Sequence, residues 1–309
     1  MSDTPRPTVL WAYEKKLSGW AYGINSRRIA SRMCDFDHCF GETNRPFFDL
    51  KISLDIITHV RTRQVDARAK IVRIGGPGPL AQLALAREDR TALKQAFSDV
   101  AVVIALSPEL QKVAREYHSN VVFILNGIDL SVWNSQSLTP RPPTRPFRAG
   151  MAASLKTAAQ REVKGYDVAR RACELAGVEL LVVGRGASQV PPNRMIQDFY
   201  SQIDVLIHPV GPGKEASSNV IMESLALGIP VITTPDAGYH GLTLRHGHDA
   251  LLTTRDANCL SEAIASLREN VQLRDRLSEA GRAFAESHHN IDTVSDEYER
   301  AFRFALATA

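Results

Sequence analysis

Short apolar runs alternate with helix-like stretches along nearly the whole chain, and a proline-rich segment at 135–148 breaks the alternation once. Repeated strand–helix alternation builds parallel sheets covered by helices on both faces. Before the break, residues 9–12, 50–54, 70–74, 101–106 and 121–125 read as strands. Residues 26–33 read as a short helix, with Ile29 and Met33 four apart on one face. Ser107 followed by Pro108 has the form of an N-cap with proline in the first turn, which predicts a helix to about Tyr117. Pro140, Pro142, Pro143 and Pro146 forbid helix and central strand, so 135–148 reads as an interdomain linker. Beyond it, 148–152, 178–183, 204–208 and 230–233 read as strands, and 166–175, 195–201 and 219–227 as helices. Two or three further helices are expected between about 258 and 307. The pattern specifies an α/β protein of two similar units in tandem. With 309 residues, 44% of them hydrophobic, each unit can bury a core of its own.

The bulk properties narrow the function classes. No apolar run approaches the roughly 18 residues of a membrane helix. Residues 1–7 are polar and lack the apolar stretch of a signal peptide. The four cysteines form no C-x-x-C pair, so neither a zinc site nor a disulfide framework is expected. A cytoplasmic protein, or one peripheral at a membrane, is the expectation. A net charge of +3 permits a polyanionic partner without demanding one.

Residues 211–230, GPGKEASSNVIMESLALGIP, carry the strongest chemical signal. Glycines and small residues lead into a helix starting near Ser218 or Asn219, so free backbone N–H groups face outward at the positive end of a helix dipole. The loop follows a strand and therefore lies at the carboxyl end of a parallel sheet, where open α/β sheets bind ligands. Glu215 stands in the loop, and Glu223 one turn into the helix on the side of Asn219. Carboxylates cannot help bind phosphate, but they accept hydrogen bonds from sugar hydroxyls beside one.

Glu215 and Glu223 are separated by seven residues and followed by Gly228-Ile229-Pro230-Val231-Ile232. This resembles the E-x7-E signature of retaining GT-B glycosyltransferases of the family 4 kind. Residues 122–133, VFILNGIDLSVW, are similar to that family's I-P-N-G-V-D segment. Lys164-Gly165, the strand LLVVGRG at 180–186, residues 204–209 and residues 246–252 match its other motifs. The resemblance runs from about residue 101 to the end of the chain.

The resemblance implies two Rossmann-like, doubly wound parallel-sheet domains with a cleft between them. Residues 1–134 would form the acceptor-side domain, with a helix at about 292–309 packing back on it. Residues 149–291 would bind a nucleotide-diphosphate sugar. Glu215 would contact the donor sugar and Glu223 the ribose. Gly213, Ala216, Ser217, Ser218 and Asn219 would surround the distal phosphate, and His208 would line the same loop. Gly184 and Met195 would border the nucleobase, and Lys164 would neutralise the diphosphate as the sugar leaves. A nucleoside diphosphate leaving without a metal needs positive charge and oriented N–H donors from the protein. No metal and no cofactor are therefore expected.

Two family features are missing. The arginine of the family's G-R-L turn is absent, since the corresponding strand reads Ala149-Gly150-Met151-Ala152. Arg161 is the favoured substitute, ahead of Lys156, because its fork fits phosphate oxygens. The family's N-domain histidine is also absent, because the strand at 70–74 runs into Gly75-Gly76-Pro77-Gly78-Pro79. On the acceptor side, Gly19 permits close backbone approach. Trp20, Arg27 and Arg28 would suit a phosphate-bearing acceptor such as a lipid phosphate or nucleic acid, although a glycan also fits and no sequence feature names the acceptor. Asp35-Phe36-Asp37 has the D-x-D form of metal-dependent transferases but lies outside the donor segment, and is set aside. The expected activity is that of a retaining, metal-independent glycosyltransferase; the alternative is a degenerate domain that binds nucleotide or scaffolds a partner.

Overall fold

The computed structural model describes residues 5–13, 21–41, 43–75, 91–142 and 144–309. Contacts divide the chain into two compact units, Met1–Gly127 with Ile291–Ala309, and Ile128–Asn290.

Unit 1 is built on strands β1 (Thr8–Ala12), β2 (Asp37–Phe40), β3 (Phe47–Ser53), β4 (Asp66–Ile74), β5 (Val102–Ala105) and β6 (Val121–Phe123). They pair in parallel in the order β2-β1-β3-β4-β5-β6. Its helices include α1 (Ala21–Ala30), α2 (Ile56–Arg61), α3 (Thr91–Ala96) and α4 (Pro108–Ala114). Ser107 caps α4 as expected, its side chain accepting from Leu110 N–H.

Unit 2 repeats the plan with β7 (Arg148–Ala152), β8 (Glu179–Val183), β9 (Val205–His208), β10 (Val231–Thr233) and β11 (Leu251–Leu252). The order β11-β10-β9-β7-β8 is again parallel throughout. The chain moves from β7 to β8 on one side and then crosses to β9 on the other. That reversal opens a crevice at the carboxyl ends of β7 and β9, the usual ligand position in such sheets. The helices are α5 (Ala158–Lys164), α6 (Tyr166–Ala176), α7 (Met195–Asp198), α8 (Asn219–Ala226), α9 (Gly238–Thr243), α10 (Ala257–Glu269) and α11 (Val271–His288).

The last helix, α12 (Ile291–Ala307), belongs to unit 1. Val294, Tyr298, Ala301, Phe302 and Ala305 recur at three- and four-residue intervals and are all buried with Trp11, Ile29, Leu50 and Ile71. Burying a side chain the size of Phe302 contributes roughly 1.5–3 kcal/mol. Ser295 Oγ donates to the Ile29 carbonyl at 3.2 Å, fastening α12 to α1.

Several elements depart from the sequence expectation for physical reasons. β2, DHCF, has no apolar alternation to announce it. β4 begins at Asp66, four residues early, because Asp66, Arg68 and Lys70 alternate with Ala67, Ala69 and Ile71. α1 begins at residue 21 and ends at Ala30, so the expected helix was placed late. Residues 158–164 form α5, which the sequence pattern does not announce. α5 has no buried residue, and a capping box between Thr157 and Gln160 starts it. The expected linker 135–148 is grouped with unit 2. Residues 135–137 form a 3-10 turn, Thr139 N–H donates to Ser201 Oγ at 2.9 Å, and Arg141 and Arg145 both pair with Asp204. Among the described residues no helix is long and apolar enough to cross a membrane.

Candidate functional site

The site grows from the end of β9. Beyond His208 the chain turns at Pro209, and residues 211–218 lead into α8, whose N-cap is Ser218. Ser218 makes no side-chain cap bond; its Oγ lies 3.3 Å from His208 Nε2. Its backbone N–H donates to His240 Nδ1 at 3.3 Å. Burial, reinforced by His289 beside it, drives the His240 pKa well below the ordinary value. The ring is therefore neutral and its Nδ1 lone pair free to accept, while Nε2 meets His289 Nε2 at 3.2 Å. An imidazole thus satisfies one N–H at the helix entrance, a group with no intrahelical partner. The first turn of α9 pins the loop from beneath: Tyr239 N–H donates to the Ala216 carbonyl at 2.6 Å. A Cβ on Gly238 would sit 2.3 Å from the Glu215 carbonyl oxygen, so only glycine permits this approach.

Glu215 is gripped at both oxygens. Lys164 Nζ donates to Oε1 at 3.2 Å, and His208 Nε2 lies 2.5 Å from Oε2. Burial opposes the carboxylate charge, but His208 and Lys164 outweigh it and hold the group well below the usual carboxylate range. Lys164 is the last residue of α5. Gly165 ends that helix in the left-handed conformation, φ 69°. A Cβ there would lie 2.2 Å from the Pro209 carbonyl oxygen. The end of α5 is therefore pressed against the end of β9, and Gly211 N–H fastens the loop to the Val163 carbonyl at 3.0 Å. This close approach brings Lys164 to Glu215.

The other expected site residues are held in different ways. Glu223 is 9% exposed, and its Oε2 accepts from Tyr200 Oη at 2.9 Å. Gly213 is exposed with φ 63°, Ser217 Oγ is buried with no hydrogen-bond partner among the described residues, and Asn219 opens α8. Gly184 is explained locally: a Cβ on it would stand 2.1 Å from the Ala153 carbonyl oxygen, so the turn after β8 packs on the turn after β7. Met195 is half-buried at the start of α7. Arg161 Nε donates to the Leu155 carbonyl at 3.2 Å, and its guanidinium lies 5.9 Å from the ring of Tyr166 in α6.

On the expected acceptor side, Gly19 and Trp20 lie outside the described residues, as do 76–79 of the glycine-proline loop. Arg27 Nη1 donates to Tyr13 Oη at 3.1 Å, and Arg28 is half-buried in α1. Asp35 pairs with Arg303, and Phe36 is core, which disposes of the D-x-D segment. Sequence reasoning missed Tyr200, His240 and His289 as parts of this site. Each meets its partner more than twenty residues away, and no local pattern reports such a pairing.

Residues 158–270 match the family model of the group 1 glycosyl transferases. That span holds α5, the loop, α8 and α9, and with them Lys164, His208, Glu215, Glu223 and His240. The chain is 25% identical over 237 residues to TuaC, the proposed teichuronic acid biosynthesis glycosyltransferase of Bacillus subtilis (strain 168). The overlap covers 66% of this chain and 59% of that relative's length. Among solved structures, Anabaena Alr3699/HepE in complex with UDP-glucose superposes with a TM-score of 0.71 at 16% identity, covering 96% of this chain and all of that one (100%). Sucrose-phosphate synthase from Thermosynechococcus elongatus gives 0.73 at 14% identity over 98% of this chain and 100% of that one. A glycosyltransferase from Rickettsia africae ESF-5 gives 0.69 at 14%, with 99% and 100% covered. At such identities the likeness speaks to fold, and the fold is the GT-B one of two parallel-sheet α/β domains.

Proposed function

We propose that the protein is a retaining, metal-independent glycosyltransferase of the family 4 kind. It takes a sugar from a nucleotide-diphosphate sugar. The observation that carries this reading is the Lys164–Glu215–His208 centre beside the entrance of α8, inside the segment that matches the group 1 glycosyl transferases. A cation, a helix N-terminus and an ionised carboxylate are what a diphosphate joined to a sugar needs. The first two stabilise the leaving phosphates, and the third orients the sugar hydroxyls. The UDP-glucose held by the Anabaena protein supports the same donor class here.

In this reading Lys164 and the N–H groups at the start of α8 take the diphosphate, Ser217 Oγ supplies a further hydrogen bond, and Glu215 accepts from the sugar. Glu223, with Oε2 on Tyr200, takes the ribose. The bond from the anomeric carbon to the diphosphate breaks while the acceptor oxygen bonds on the same face. The acceptor proton passes to the departing phosphate oxygen, so no enzyme base is required.

Incubation with UDP-, GDP- and ADP-sugars, read as release of nucleoside diphosphate, tests the reading. Slow hydrolysis of one donor class, abolished by Glu215→Gln, is expected. Tight binding of a donor with no release would overturn catalysis in favour of a nucleotide-binding domain.

A further inference from the structure

Two donors hold the two oxygens of Glu215, and they differ in mobility. Lys164 ends a helix with no buried residue and reaches Oε1 with a long flexible side chain. His208 ends β9, a strand hydrogen-bonded on both sides, is 1% exposed, and has its own carbonyl fixed by Thr233 Oγ1 at 2.8 Å. Its Nε2 sits against Oε2, with Ser218 Oγ 3.3 Å from the same nitrogen. Its Nδ1 is buried with no hydrogen-bond partner among the described residues. A ring kept only for packing would be better replaced by an aliphatic side chain, which leaves no buried nitrogen unsatisfied. The ring's polar function is directed at Glu215 and the loop that carries it.

We propose that His208 is a positioning residue, which anchors Glu215 through Oε2 so that Oε1 can pass from Lys164 to a hydroxyl of the donor sugar. This rests on the function proposed above. The donor diphosphate draws Lys164 away, and the carboxylate would then be free to swing on three rotatable bonds. The Nε2–Oε2 contact keeps it in place, so the group that orients the sugar is held by the rigid sheet and not by the ligand. No proton changes hands in the exchange: Lys164 donates first to the carboxylate and then to phosphate, and Nε2 keeps its hydrogen throughout.

Three variants test it, with steady-state donor kinetics and melting temperature measured on each and Glu215→Gln as the reference. The terminal amide of glutamine reaches where Nε2 sits, whereas that of asparagine stops near Nδ1. His208→Asn and His208→Leu are expected to lower kcat by about 10- to 100-fold, the range for losing a hydrogen bond to a charged group, with donor KM within about threefold. His208→Gln is expected to recover most of kcat. Normal kcat in His208→Asn overturns the proposal. So does a glutamine variant as poor as leucine, or a loss of kcat that comes with an equal rise in KM and a fallen melting temperature. If His208→Leu does not fold, the asparagine–glutamine pair decides. Absence of nucleoside diphosphate release by the unaltered protein sinks the functional reading and this inference together. Turnover that collapses in Glu215→Gln but survives in His208→Asn sinks this inference alone.

Discussion

Gly165→Ala probes the join that sets Lys164 in place. Gly165 has φ 69° and ψ 31°, and the added Cβ would lie 2.2 Å from the Pro209 carbonyl oxygen, a backbone atom that cannot rotate away. A left-handed alanine costs about 1–2 kcal/mol. Forcing a methyl into a filled space adds about 1–3 kcal/mol, for a total of about 2–5 kcal/mol. Gly177 supplies the control. It ends α6 with φ 61° and ψ 38°, and no atom lies within 4 Å of where its Cβ would stand. Gly177→Ala therefore carries the conformational cost alone, about 1–2 kcal/mol. Urea unfolding of both variants, followed by circular dichroism, should show Gly165→Ala less stable than Gly177→Ala by about 1–3 kcal/mol. Donor KM should rise in the first variant only, because α5 must back away from β9 and take Lys164 with it. Equal losses in the two variants would refute the idea that contact with Pro209 positions the helix.

Burial lowers the pKa of His59 to about 4 and that of His240 well below its ordinary value. In the unfolded chain both titrate near 6.5, so the unfolded state binds more protons across the window below that value. Stability should be fully present above about pH 6.5 and fall by about 1.4 kcal/mol per unit per histidine as pH drops toward 4. A flat stability between pH 7 and 5 in denaturant titrations would contradict this. Glu223→Gln should mainly raise donor KM, since the ribose is unchanged in the reaction, whereas Glu215→Gln should mainly lower kcat; the reverse assignment would misplace sugar and ribose along α8. Turnover should survive EDTA, and loss restored by manganese would count against the metal-independent mechanism.

The two parallel sheets were legible because their strands are buried on both faces and read as apolar runs, as in 102–105 and 205–208. β2 and α5 were not, because neither buries an apolar stripe that a periodicity can report. At the site, the loop, Glu215 and Glu223 could be read because their spacing is local. The partners that fix them could not. Tyr200 reaches Glu223 across 23 positions, and His240 reaches Ser218 across 22, through packing that only the sheet order creates. Gly184 has a packing cause as well, the Ala153 carbonyl beside it, which no motif reports.

Calorimetric titration with nucleoside diphosphates measures most directly whether the Lys164–α8 site binds a donor's leaving group. One nucleoside diphosphate should bind with 1:1 stoichiometry, and Lys164→Ala should weaken it by about tenfold or more, as expected for losing a charge-assisted contact to phosphate. Binding that is absent for every base, or unchanged in Lys164→Ala, would contradict the account.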